Sequence, residues 1–196
     1  MKSSDGYTLV EMIVTVAIVG ILIGIVAPSF TGFVKDNRFT SQINTLIGTI
    51  HYARGEAASR RSIVTLCASS NSSSCSNSNS WETGWIIFSD SNNSGNGIID
   101  GADELILTQE ALEGGNTLRE SGFGFTGAGK IHFNANGFLY ATDPSAGTLT
   151  LCNDDGAADA KAIIVNISGT SRLATDDNDD NIVNDHQGSL SNISCP

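Results

Sequence analysis

The sequence predicts an α+β fold in which one long N-terminal helix packs on an antiparallel β-sheet head. An uncharged apolar run extends from Met12 to Val34, and a stripe of apolar residues at helical spacing continues beyond it. Short β-rich segments, separated by Gly, Ser and Asn clusters, fill the remainder of the chain. One long helix followed by a series of strands is typical of an α+β arrangement.

The apolar run is long enough to cross a membrane. It contains 23 residues without a charge, and a helix rising ~1.5 Å per residue over that length spans the ~30 Å hydrocarbon core of a bilayer. A cleavable secretory signal has a shorter apolar core of about 7–15 residues. Glu11 stands at the edge of the run, where a carboxylate is costly without a partner and so marks a functional position. We therefore expect residues 12–34 to form a membrane-spanning first half of the helix.

The helix is expected to continue past this span. Apolar residues recur at helical spacing with Asn, Gln and Arg between them: Phe39, Ile43, Leu46, Ile47, Ile50, Ala53 and Ala57. This pattern describes one apolar stripe laid against a sheet. The spine helix should end near Arg60 and Arg61, which leaves a β-rich head over 62–196.

Seven β-rich segments are found in the head: 63–68, 85–90, 104–109, 130–134, 137–141, 148–152 and 161–167. Asn136-Gly137 lies between two of them and predicts a tight hairpin. The Ser- and Asn-rich tract from Ser69 to Ser80 predicts a surface loop.

Charge is unevenly distributed along the chain. Six of the ten basic residues precede residue 62, whereas the remainder carries 17 acidic and four basic residues. A surface with that excess of negative charge repels nucleic acid and suits solubility or cation binding.

Four cysteines occur, at Cys67, Cys75, Cys152 and Cys195. An even number in a chain that carries an export-like N-terminus predicts two disulfides, for which three connectivities are possible. We favour Cys67–Cys75, which closes a short loop, and Cys152–Cys195, which attaches the tail to the head. A metal site is the weaker alternative, because the chain has no CxxC pair.

The first residues, MKSSDG-YTLVEM, resemble the prepilin signature: a short leader ending in Gly, an aromatic residue, then Glu four positions later. The resemblance implies a leader of residues 1–6, cleavage after Gly6 by prepilin peptidase, and methylation of the new amine of Tyr7. It also implies that Glu11 pairs with the N-terminal amine of a neighbouring subunit. Pro28 matches a family proline that bends or partly melts the helix.

The head resembles the type IV minor pilin and type II secretion pseudopilin family that contains FimT, FimU and GspH. The resemblance is carried by the order of Cys67, Cys75, Trp81 and Trp85, followed by an Asn- and Gly-rich loop and a strand ending in Cys152. It implies a pilin-like fold and a structural subunit whose partners are other major and minor pilins or pseudopilins, prepilin peptidase and inner-membrane lipid. It implies a single-pass inner-membrane protein with its head in the periplasm, later part of a pilus or pseudopilus. The two machines share this fold and signal, so both stay open.

The alternative function is that of a DNA-binding minor pilin for uptake in natural transformation. Some members of the family bind DNA through a GRxR-like stretch after the last strand. The matching stretch here, Gly169 to Arg172, has one arginine instead of two. DNA affinity depends largely on neutralised phosphates, and this head is strongly acidic, so DNA is not an expected partner.

A structural calcium ion is the one cofactor that the sequence raises. The loop from Asp90 to Glu104 alternates oxygen-bearing side chains with glycines, and its candidate ligands are Asp90, Asn92 and Asp100. It fails as an EF-hand, because Gly101 occupies the twelfth position, where a bidentate Glu is needed. A second acidic cluster covers 176–185. Segments rich in Asn, Asp and Gly are usually plain turns, which is the alternative for both.

No enzymatic constellation is found. His51, His132 and His186 are scattered along the sequence, and no GxSxG motif occurs. GFTGAGK at 124–130 has Ile131 where a phosphate loop needs Ser or Thr, and a strand-like segment follows where a helix is required. We therefore expect a non-enzymatic protein.

Overall fold

The computed structural model describes residues 6–91, 95–125, 128–141 and 144–196, and for residues 25–29 it describes the backbone alone. The contacts along the chain divide it into two compact units, Met1–Thr40 and Ser41–Pro196. Leader residues 1–5, the candidate ligand Asn92 and the side chain of Pro28 lie outside the described residues.

Helix α1 extends over 52 residues, Leu9–Arg60. Arg61 follows with a φ of 54°, in the left-handed conformation that commonly ends a helix. Among the residues whose side chains are described, no helical stretch is both long enough and apolar enough to cross a membrane.

Within the second unit, α1 buries the predicted apolar stripe. Five of its side chains are at most 2% exposed: Ile43, Leu46, Ile50, Ala53 and Ala57. Polar side chains on the same helix bond to loops of the head. Gln42 donates to the carbonyl of Glu113 (2.8 Å), and Arg54 donates to the carbonyl of Gly137 (3.0 Å). The helix therefore joins the head through an apolar stripe flanked by specific hydrogen bonds.

The first sheet has the strand order β3-β2-β1-β5, with antiparallel neighbours. Its strands are β1 Ile63–Ala68, β2 Trp85–Asp90, β3 Glu104–Gln109 and β5 Lys130–Phe133. Every residue of β1 and β2 is buried, as their continuous apolar character predicts for central strands.

The second sheet has the order β4-β6-β7-β8, again antiparallel. It contains β4 Thr117–Ser121, β6 Gly147–Cys152, β7 Lys161–Val165 and β8 Ser171–Leu173. The head thus carries two four-stranded sheets together with the second part of α1, which confirms the predicted α+β fold.

Two strands were not predicted, and one predicted strand is wrong. Both β4 (TLRES) and β8 (SRL) are polar edge strands that the apolar pattern does not reveal. Segment 137–141 forms no named strand: it makes one isolated bridge, between Leu139 and Phe133. Its pairing with β5 is limited to this bridge and the hydrogen bonds that flank it, and on its other side the Leu139 amide donates to the carbonyl of Ile167 (2.9 Å).

The two tryptophans belong to the core. Trp81 begins a short 3-10 helix, Trp81–Thr83, and Trp85 begins β2; both side chains are fully buried. Neither indole N–H has a hydrogen-bond partner within the described part of the chain. Their contribution is therefore apolar packing, not surface recognition.

Candidate functional site

The processing signature lies at the start of α1. Thr8 directly precedes the helix, and its hydroxyl accepts a hydrogen bond from the amide of Glu11 (3.3 Å). This is the N-cap arrangement that satisfies one of the free amides of a first turn. Glu11 therefore sits where the helix dipole favours a carboxylate. Gly6, Tyr7 and Glu11 are all exposed, Tyr7 by 81%.

The first unit exposes an extensive apolar surface. Fifteen large apolar side chains in it are at least 44% exposed: Tyr7, Leu9, Val10, Met12, Ile13, Val14, Val16, Ile18, Val19, Ile21, Leu22, Ile23, Phe30, Phe33 and Val34. Soluble monomers rarely expose contiguous apolar patches larger than a few hundred Å². The segment therefore exposes more apolar surface than soluble monomers usually do.

Two disulfides are present, with the pairing expected from the sequence. Cys67 and Cys75 are joined across a sequence separation of eight residues, and Cys152 and Cys195 across 43. The first closes the Ser- and Asn-rich loop, where the Asn71 carboxamide accepts the amides of Ser73 and Ser74 (3.0 Å each). The second holds the C-terminal tail against β6.

The candidate DNA stretch, Gly169 to Arg172, serves the fold. Arg172 lies on β8, is exposed, and donates to the carbonyl of Leu173 (3.3 Å). Gly169 has a φ of 74°, and a Cβ at this position would collide with the carbonyl oxygen of Gly137. The same oxygen accepts the Arg54 hydrogen bond described above. Glycine is required here because two turns and the helix meet at one point.

In the first candidate calcium loop, Asp90 and Asp103 bond to the loop backbone, and Asp100 accepts the carboxamide of Asn96 (3.1 Å). Asp90 is fully buried and accepts the amide of Gly95 (2.7 Å). Asp103 accepts the amides of Ser91 (2.8 Å) and Asp100 (3.0 Å). Within the described ranges, no three His, Cys, Asp or Glu side chains are grouped so as to hold a metal ion. Calcium binding through Asp90, Asn92 and Asp100 stays a prediction, which thermal unfolding with and without calcium would test.

The second acidic cluster forms turns. Asp176 accepts the amide of Asn181 (2.7 Å), and Asp180 accepts the amide of Ile182 (2.9 Å) and the carboxamide of Asn192 (2.6 Å). These donors hold the pKa of Asp180 below its ordinary value, with the Asn192 bond contributing most. Such side chain-to-backbone bonds are the usual reason for Asp and Asn in turns.

Two ionisable groups of the head are buried in part or in full, and sequence reasoning missed the first of them, Glu120. Glu120, on β4, accepts the amide of Gly129 (2.7 Å) with one oxygen, while the other is buried without a partner in the described structure. Burial raises its pKa to about 7. His132, on β5, shares a hydrogen bond with the hydroxyl of Thr65 (2.7 Å), and burial lowers its pKa to about 4. Nothing in the local sequence signals Glu120, because its burial depends on tertiary packing.

A polar cleft of about 390 Å³ lies between β4 and the C-terminal tail. Arg119 and Thr150 line one side, and His186, Asn192 and the residues around Cys195 line the other. The Arg119 guanidinium is bonded to the carboxylate of Glu82. The cleft therefore offers no unpaired cation to an anionic ligand.

Comparisons with known proteins identify the family. The family model described as Type II transport protein GspH matches residues 42–169, and the prokaryotic N-terminal methylation motif matches residues 1–27. The type IV minor pilin FimU of Pseudomonas aeruginosa is similar in structure: 20% identity, TM-score 0.53, covering 73% of this chain and 92% of FimU. The minor pseudopilin EpsH of Vibrio cholerae, from the type II secretion system, has 11% identity and a TM-score of 0.48, covering 70% of this chain and 93% of EpsH.

No curated protein sequence matches the chain significantly. The GspH match covers well over half of the chain and includes the part of α1 within the head, both sheets except β8, and three of the four cysteines. The comparisons give no support to the DNA-binding alternative. The chain belongs to the GspH family of minor pilins and pseudopilins, which are structural subunits of type IV pili and type II secretion systems.

Proposed function

We propose that this chain is made as a prepilin, is cut after Gly6 by prepilin peptidase, and is methylated at Tyr7. The first part of α1 anchors it in the inner membrane, with the head in the periplasm. From there it enters a type IV pilus or a type II secretion pseudopilus as a minor subunit. Its work is mechanical and adaptor-like: it packs with other subunits and carries out no catalysis.

The observation that carries this proposal is the exposed apolar surface of the first unit, most of which lies within the match to the N-terminal methylation motif at residues 1–27. In the sequence, no charged residue occurs between Met12 and Val34. A bilayer can cover such a helix before assembly, and the helices of neighbouring subunits can cover it in the filament.

Glu11 has a defined part in this proposal. After cleavage, the amine of Tyr7 would be the first charged group of the mature chain, four residues before Glu11. In an apolar filament core, each charge is costly alone, and pairing the carboxylate with the amine of the next subunit offsets much of that cost. The pair would thereby set the axial register between neighbouring subunits.

The two disulfides support a periplasmic head. Disulfides persist in oxidising compartments and are rare in the cytosol. Both bridges, Cys67–Cys75 and Cys152–Cys195, lie in the head, which is the part that we propose to be periplasmic.

Mass spectrometry of the chain purified from a host with prepilin peptidase tests the processing step. We expect the loss of six residues and one methyl group on Tyr7, and we expect Gly6→Asp to retain the leader without methylation. An intact leader on the unmodified chain would contradict the proposal. Co-purification of the tagged chain with either pilus subunits or secretion pseudopilins then identifies the machine.

A further inference from the structure

Three of the four outer edges in the two sheets are covered or very short. The outer edge of β5 is bonded by the following segment, since the amide of Tyr140 donates to the carbonyl of His132 (2.9 Å). Strand β8 has three residues, and the carbonyl of Leu173 already accepts the Arg172 side chain. Short or covered edges are the usual protection against unwanted strand pairing.

The edge of β4 is closed by side chains. The carboxamide of Asn79 accepts the amide of Glu120 (2.7 Å) and donates to its carbonyl (2.8 Å), as a neighbouring strand would. Two residues earlier on the strand, the carboxylate of Glu82 accepts the amide of Leu118 (3.3 Å). These contacts occupy donors and an acceptor that β4 would otherwise present to solvent.

Strand β3 lacks such cover. Its six residues, Glu104–Gln109, pair with β2 on one side, and among the described residues no other backbone group bonds to them. Leu105 is 41% exposed, and the strand contains neither Pro nor Lys. A register shift between Ile87 and Phe88 divides its pairing with β2 into 104–105 and 107–109, and the strand as a whole is twice as long as β8. An open edge of this kind is a template for a further strand.

The charges at the two ends of β3 decide what can pair with it. Asp103 and Glu104 lie at one end, where Arg60 pairs with Glu104 (2.6 Å). At the other end, Glu110 and Glu113 are exposed, and neither side chain has an ion pair within the described structure. In a two-fold antiparallel pairing of two copies in full register, Asp103 of one copy would face Glu110 of the other. Like charges directly opposite each other disfavour that pairing.

We propose that the outer edge of β3 binds an extended segment of a different protein chain, with alternating apolar residues and Lys or Arg at its ends. The basic ends would face the acidic ends of β3, and main-chain hydrogen bonds would extend the first sheet by one strand. In so far as this partner is another subunit of the filament, the inference rests on the proposed function. Such strand addition gives affinity through the backbone and specificity through the charges.

The test uses the full-length chain in detergent micelles and a short synthetic peptide of alternating Val and Thr with Lys at both ends. We expect the peptide to bind and to slow amide hydrogen exchange at residues 104–109. A peptide of the same sequence methylated on alternate backbone nitrogens should bind at least about tenfold more weakly, because it lacks half of the donors. Equal binding by the methylated peptide, or binding without slower exchange in β3, would overturn the proposal.

Charge variants sharpen the test. Glu110→Lys should weaken binding of the Lys-ended peptide about tenfold at low salt, and high salt should remove the difference. Asp159→Lys makes the same change in net charge beside the other sheet and should bind like the unmodified chain. If both variants lose equal affinity, or if the chain dimerises through β3, the inference is wrong. The assay needs no leader cleavage, so failure of processing and failure of β3 docking are separate results.

Discussion

One helix has two environments in this protein. On α1, Val16 in the first unit is 68% exposed, whereas Ile50 in the second unit is fully buried. Both are β-branched apolar residues on the same continuous helix, so helix formation alone does not explain the difference. Apolar burial contributes roughly 25 cal/mol per Å² of surface removed from water. Ile50 therefore stabilises this chain itself, whereas Val16 gains almost nothing from burial within the chain.

The largest effect on the head should come from removing the long-range disulfide. By the loop-entropy relation, a closed loop of this length stabilises the folded state by about 4 kcal/mol, and a loop the size of that closed by Cys67–Cys75 by about 2.5 kcal/mol. We expect Cys152→Ser with Cys195→Ser to lower the free energy of unfolding by the larger amount in chemical denaturation of the full chain. The Cys67→Ser, Cys75→Ser pair is the matched control; a larger loss there would contradict the entropy argument.

A pair of glycine substitutions separates the cost of backbone strain from the cost of a steric collision. Gly169 and Gly156 both have positive φ, 74° and 84°, but only Gly169 has a neighbour that an added Cβ would meet. Gly156→Ala should cost about 1 kcal/mol from strain alone. Gly169→Ala should cost about 3 kcal/mol, because the Gly137 carbonyl must also move. Equal losses of stability in thermal unfolding would show that the Gly137 carbonyl, which accepts the Arg54 hydrogen bond, can move at little cost.

The buried Glu120 predicts a pH dependence. Its folded-state pKa of about 7 lies above its ordinary 4.5, so the folded chain retains a proton that the unfolded chain releases. The resulting stability is present below pH 4.5 and is lost as pH rises through 7. Compared with the unmodified chain, Glu120→Gln should therefore have a free energy of unfolding about 2 kcal/mol higher at pH 8 and nearly the same at pH 5. The exposed Glu110→Gln is the control, and a gain that is constant with pH would exclude titration as the cause.

We expect the smallest effect on folding from substitutions in the first unit. They test most directly the difference between the exposed and the buried parts of α1. Val16→Ala and Glu11→Val should leave the thermal midpoint of the head unchanged, because neither side chain is buried in this chain. Glu11→Val should still reduce the amount of chain recovered in sheared filaments, since the register-setting carboxylate is lost. A lowered midpoint for either variant would show that the first unit does contribute to folding.

The sequence predicted the regular parts of the head better than its edges. Strands β1, β2 and β3 have the predicted bounds, because continuous apolar β-rich runs identify central and semi-buried strands locally. The polar β4 and β8 exist only because β6 and β7 offer them partners, which no local pattern reports. The Asn136-Gly137 turn forms, closed by the Gly137 amide on the carbonyl of Asn134 (2.8 Å), yet its second arm pairs with β5 at a single bridge and forms no strand.

The candidate sites divide in the same way. The signature at Gly6, Tyr7 and Glu11 could be read from spacing, because the N-cap and the start of the helix are local features. The open edge of β3 could not be predicted, since it depends on which strands fail to find a neighbour. Glu120 is similar, because nothing in the local sequence marks its carboxylate and its pKa is raised only once the second sheet has formed around it.

The bridge between Cys152 and Cys195 makes residues 153–194 a closed loop that contains β7 and β8. A protease that cuts once within this loop would leave both pieces covalently joined. The nicked chain would migrate as one band on a non-reducing gel and as two after reduction. A head cut in this way would stay in one covalent piece until the bridge is reduced.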